Sequence, residues 1–207
     1  MKSDKDSRQH ESPLEDIFSW HCQKHLRDSS VFESQVGVRT CHGLFRLDFL
    51  LSGPGEDVVA VECDGRDFHD SFRDEFRDSI LLGEGYLDTI YHFRGRDITY
   101  FPDGCIWLMS LLNPGLFSER GHLHLGCLHQ LKIAWPPYDS DFPHREGYIL
   151  TDSTSRLSAR RRSVHQKSLN PDYPHWKTLY SFACEHPRAS LDELIILRGD
   201  TRVWTYI

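Results

Sequence analysis

The stretch Val58-Val-Ala-Val-Glu-Cys-Asp-Gly-Arg-Asp-Phe-His69 sets the architecture. Its four leading apolar residues describe a short strand covered on both faces, the character of a central strand in an α/β sheet. Glu62 and Asp64 follow at once and project from the same side of that strand, since side chains alternate. Asp64-Gly65 then signals a turn. Carboxylates at the end of a buried strand are costly unless they are paired or hold a cation.

On the N-terminal side, Leu44-Phe-Arg-Leu-Asp-Phe-Leu-Leu51 is a second apolar strand, joined to the first by the hairpin loop Ser52-Gly-Pro-Gly-Glu-Asp57. Neighbouring strands lie about 4.8 Å apart, so Asp48 can face Glu62 and Asp64. Three carboxylates on one face repel one another unless a hard divalent cation such as Mg2+ or Mn2+ sits among them. Such a cation activates water and holds a phosphate oxygen. His69, past the turn, is positioned to move a proton, orient that water or contact a phosphate. The same residues also fit a plain turn at Asp64, an exposed strand residue at Asp48 and a surface histidine at His69. Spacing alone does not choose.

Further out, Ser12-Pro13 opens a helix that runs to about Leu26–Asp28, with Ser12 as cap and Glu15 three residues on. Glu15 either closes a capping box or faces the sheet. Residues 32–38 form a strand and 40–43 a turn, with Gln35 either at the site or on an exposed edge. Phe72, Phe76, Ile80 and Leu81 make the apolar stripe of a helix over 71–84, and 86–93 is a fourth strand. The crossover has the length of a right-handed βαβ unit. A helix is expected at 104–112, strand-like stretches at 122–125 and 132–135, a helix over 153–166, a short helix at 191–197 and a last strand at 201–207.

The ordered set Glu15, Gln35, Asp48-Phe49, Glu62-Cys-Asp64-Gly65, His69, Asp74-x-x-Arg77, Leu81, Gly85-Tyr86 and Phe93-Arg94 resembles the PD-(D/E)XK nuclease superfamily. Within it, the chain looks most like uncharacterised restriction-like proteins related to very short patch repair endonuclease. The resemblance covers about 80 residues, Pro13 to Phe93. It implies a three-layer α/β/α restriction-endonuclease-like core with a mixed four-stranded sheet over 12–112, followed by an extension at 113–207. It also implies metal-dependent hydrolysis of DNA, with Asp48, Glu62 and Asp64 as ligands for Mg2+ or Mn2+, His69 assisting, and Glu15 supporting them. Arg66, Arg77 and Gln35 are candidates for nucleic-acid contact. Asp64 stands where the superfamily carries its catalytic lysine, as it commonly does in the restriction-like group, and His69 comes one residue later than the pattern.

Charge tempers this. Residues 1–130 hold 13 Lys and Arg against 22 Asp and Glu, whereas 131–207 hold 11 against 9. An acidic bulk disfavours indiscriminate nucleic-acid binding but leaves room for a local basic groove. Arg160-Arg161-Arg162 is one candidate for phosphate contact, or else a solvated loop or helix end. His122, His124, Cys127 and His129 offer zinc ligands in type, yet their spacing matches no closed finger, and a scatter of histidines explains them as well. No run reaches the roughly 18 apolar residues of a membrane span and no signal-like stretch follows the N-terminus, so a cytoplasmic protein with reduced cysteines is expected. A catalytically silent module binding nucleic acid or a protein partner, a homo-oligomer, and another carboxylate metal hydrolase all remain compatible with the residues.

Overall fold

The computed structural model describes residues 12–65, 71–128, 132–134, 147–151, 156–165 and 175–198. The elements run α1 (Pro13–Gln23), β1 (Val31–Thr40), β2 (Gly43–Ser52), β3 (Val59–Asp64), α2 (Ser71–Gly83), β4 (Thr89–Arg94), α3 (Gly95–Tyr100) and α4 (Pro102–Leu112). A 3-10 turn at Pro114–Leu116 leads to α5 (Glu119–Leu128), β5 (Lys132–Ala134), β6 (Gly147–Thr151), β7 (Arg156–Ser163), α6 (His175–Glu185) and α7 (Leu191–Arg198).

The strands form one mixed sheet in the order β1-β2-β3-β4-β7-β6-β5, with β3 and β4 parallel and the other neighbours antiparallel. It is wider than the four strands expected. β1 to β4 together with β7 make a five-strand stretch, and β6 and β5 extend it. The added strands come from beyond residue 112, and β7 lies directly against β4.

Two apolar layers sandwich the sheet. On one face Phe18 and Cys22 of α1 pack with Phe49, Val59, Val61, Tyr91 and Phe93, and with Ile106 and Met109 of α4. On the other, Phe76, Ile80 and Leu81 of α2 pack with Leu47, Ala60 and Ile90, and α6 and α7 add Leu179, Ala183 and Leu194. Helices thus cover both faces, with α1 and α2 on opposite sides as expected. Among the described residues no helix is long and apolar enough to cross a membrane.

Two segments depart from the expected secondary structure. Residues 153–166 were expected to be helical, but 156–163 form β7. Leu157 and Ala159 join the α1-side core and Arg161 lies over the Tyr91 ring, while Arg160 and Arg162 turn to acids of α2. That two-residue alternation of partners overrides the helix propensity of Ala and Arg. Residues 122–125, expected in a strand, lie in α5. Ser118 caps this helix through its hydroxyl to the Gly121 amide at 3.0 Å. Gly121 lets the helix seat against His25, whose carbonyl would stand 2.4 Å from any added Cβ. The helices α3 and α6 were not anticipated. The expected strand at 201–207 lies outside the described residues.

Candidate active site

The β2–β3 ladder ends at Phe49↔Val61, three residues short of the β3–β4 ladder, which continues to Asp64↔Arg94. Where the backbones part, Asp48 takes over: its Oδ2 accepts the Cys63 N–H at 2.8 Å. A side-chain oxygen thus replaces the missing carbonyl acceptor, which is why an Asp is tolerated in an apolar strand. On the other side of β2 the β1–β2 ladder skips one step, Gln35 opposite Asp48. Gln35 is the one non-glycine residue with positive φ (56°) among those described. Left-handed backbone is unfavourable for Gln and persists where the surroundings enforce it. Here it turns the side chain toward α1, where Nε2 donates to Glu15 Oε2 at 2.6 Å.

Glu15 is buried. The Ser12 hydroxyl accepts its amide at 3.3 Å, the cap half of a capping box, but the Glu15 carboxylate reaches Gln35 on the sheet. Glu15, Gln35 and Asp48 therefore come from three elements to one region.

β3 carries Glu62 and Asp64 on its α2 side. Glu62 Oε2 lies 3.5 Å from Arg77 Nη1. Asp64 Oδ2 lies 3.4 Å from His92 Nδ1 and 3.8 Å from Arg160 Nη2, and Arg160 also reaches Asp74 at 3.4 Å. Behind them, fully buried Asp78 receives His92 Nε2 at 2.9 Å, Arg162 Nη1 and, at 3.5 Å, Arg77. Arg162 is also paired with Glu75 at 3.3 Å. Arg77, Arg160 and Arg162 are thus built into the ion-pair network, Arg162 deeply so.

Burial pushes the Glu62 carboxyl up to about 8, despite the opposing pull of Arg77 and His92. Burial also raises Asp48, against the bond from the Cys63 amide. For His92, burial disfavours the charged ring, but Asp78 and the hydrogen bonds to Asp64 and Asp78 outweigh it and raise its pKa.

A pH dependence follows for the metal-free protein. Folded Glu62 keeps its proton up to about pH 8, whereas its ordinary value is 4.5, so the native state holds an extra proton across that window and stability falls as pH rises through it. His92, with a folded pKa above its ordinary 6.5, adds stability that is present below that value and lost as pH rises through the folded one. In the presence of a chelator, the urea midpoint should decline from pH 5 to pH 8, and less steeply in Glu62→Gln. Parallel declines in the two proteins would refute this role for Glu62.

Among the described residues, Glu62 Oε1 and Gln35 Oε1 are buried without a hydrogen-bond partner. Such acceptors fit a cation that needs oxygen ligands. Asp48, Glu62 and Asp64 do not, however, bring three ligand atoms within 4.8 Å of one another; among the described residues Cys41, His42 and Glu84 alone do. Asp64 is instead drawn to His92 and Arg160.

The remaining sequence candidates are dispersed. His69 and Arg66 lie outside the described residues, as does His129. His122 packs on the Trp107 ring with 4.8 Å between centroids, and His124 stacks on His25 at 5.5 Å. Because α5 is a helix, His122 and His124 do not share a face as they would in a strand, and among the described residues His122, His124 and Cys127 do not bring three ligand atoms together. Sequence reasoning missed Asp78 and His92. The signal for His92 was available: a polar residue inside the apolar run of β4, between Tyr91 and Phe93.

No family model matches the chain, and no curated protein or solved structure matches it either.

Proposed function

We propose that the chain is a Mg2+- or Mn2+-dependent deoxyribonuclease with a restriction-endonuclease-like core. The observation that carries this reading is Asp48 at the parting of β2 and β3, next to a Glu62 whose Oε1 is buried and unpartnered. Asp48 and Glu62 would hold the cation; when bound, it supplies Lewis-acid activation of water and a phosphate oxygen. Gln35 and Glu15, hydrogen-bonded to each other, lie beside Asp48 from β1 and α1. Asp64, where a lysine would stand in the superfamily, is oriented by His92 and Arg160. Arg77 beside Glu62 adds positive charge and leaves the region less repulsive toward phosphate.

The experiment is incubation of supercoiled, linear and single-stranded DNA with Mg2+ or Mn2+, comparing wild type with Glu62→Gln. Metal-dependent cleavage lost in the variant supports the proposal; no cleavage of any substrate overturns it. Gln35→Ala should slow cleavage about 10- to 100-fold, the usual cost of removing a residue that supports the ligand set without itself binding the metal. A rate within twofold of wild type would reduce the Gln35–Glu15 contact to packing.

One observation favours a second reading, a silent nuclease-fold module. Glu62 and Asp64 are already paired with Arg77, His92 and Arg160. That reading requires DNA or protein binding without cleavage and indifference to chelators.

A further inference from the structure

At the far end of α2 from the carboxylates is a second group of chemically different ligands. Cys41 and His42 form the tip of the β1–β2 hairpin, and Glu84 follows α2 directly. One ligand atom from each lies within 4.8 Å of the others. Glu84 is ten residues beyond Asp74, roughly 15 Å along a helix axis, so the two regions are separate.

His42 is pre-set for coordination. It is buried, and its Nδ1 lies 2.8 Å from the Ala189 carbonyl oxygen between α6 and α7. A carbonyl only accepts, so Nδ1 carries the proton and Nε2 presents its lone pair. Metal-ligating histidines are held in the same way, with the second ring nitrogen donating to a backbone carbonyl. Cys41 Sγ already donates to Glu84 Oε1 at 2.9 Å, which places sulfur and carboxylate together. Cys184 of α6 interacts electrostatically with Cys41 and shares a hydrogen bond with Tyr180.

We propose that Cys41, His42 and Glu84 bind a zinc ion that clasps the β1–β2 hairpin to the end of α2 and, through His42, to the α6–α7 connection. A thiolate with an imidazole selects a borderline-soft cation over Mg2+ or Mn2+, and zinc takes this set at about 2.0–2.3 Å from each donor. Binding replaces the Cys41 S–H proton by the metal and leaves Glu84 Oε1 as a ligand instead of a hydrogen-bond acceptor.

The test is titration of chelator-treated, untagged full-length protein with Zn2+ against a chromophoric chelator, and separately with Co2+ followed by absorption. Wild type should bind one Zn2+ at this site, with Co2+ giving a thiolate charge-transfer band. Cys41→Ser should abolish that band and, like Glu84→Gln, weaken Zn2+ binding at least tenfold. His42 is buried and its replacement risks the fold; Cys41→Ser and Glu84→Gln alter more accessible residues and keep the test decisive. At a hundredfold excess over the dissociation constant, Zn2+ should raise the thermal midpoint by about 5–10 °C in wild type and not in Cys41→Ser. Absence of saturable Zn2+ binding, or binding and charge transfer unchanged in Cys41→Ser, would overturn the proposal.

Discussion

Asp78→Asn is expected to cost about 3–5 kcal/mol of folding stability, the range seen when one partner of a buried ion pair is removed. Asp78 is fully buried and takes His92, Arg162 and Arg77 as partners. Asparagine keeps the volume but not the charge, leaving cationic groups from β4, β7 and α2 without their shared counter-ion. Small proteins have only about 5–15 kcal/mol in total, so the variant should be partly unfolded at moderate urea. The acid limb should change as well. Burial works against the Asp78 carboxylate, yet its cationic partners hold its pKa well below the ordinary 3.8. Its contribution is therefore present above that value and lost as pH falls toward the folded one. Urea denaturation at pH 7 and pH 3 reads both effects. A loss below about 1 kcal/mol would mean that the arginines find water or other acids.

The second large effect is on cleavage. Asp48→Asn and Glu62→Gln preserve shape and each remove one negative charge from the proposed cation site. Losing a ligand that supports transition-state charge costs several kcal/mol, and about 4 kcal/mol corresponds to roughly 10³-fold in rate. If the two carboxylates act as one unit, the double variant should be little worse than either single one. Single-turnover plasmid nicking with Mn2+ measures this, with circular dichroism confirming the fold. Retention of wild-type rate by either variant would remove that residue from the chemistry.

The elements from α1 to β4 were legible because their signals are local. Ser12-Pro13 marks a helix start, the run before Glu62 marks a central strand, and the glycine-rich loop at 53–55 marks a hairpin. The placing of Asp48 beside Glu62 on neighbouring strands follows from the same pattern. What local pattern could not reveal depends on partners distant in sequence. Arg160 and Arg162 read as a basic cluster until Asp74, Glu75 and Asp78, more than 80 residues earlier, account for their alternation. α5 looks like an alternating strand because its glycines serve a tertiary approach to His25 and Trp107. Asp64 illustrates the limit at the site itself: its strand position was readable, but its attraction to His92 and Arg160 depends on β4 and β7 lying side by side.

The proposed activity requires that Asp48 and Glu62 jointly hold one hard divalent cation. Its most direct test is Mn2+ titration of chelator-treated protein followed by loss of the free-ion paramagnetic resonance signal, in wild type, Asp48→Asn and Glu62→Gln. Expected is one saturable Mn2+ site in wild type, weakened at least tenfold in each variant. No saturable binding to wild type, or binding undiminished in both variants, would contradict it.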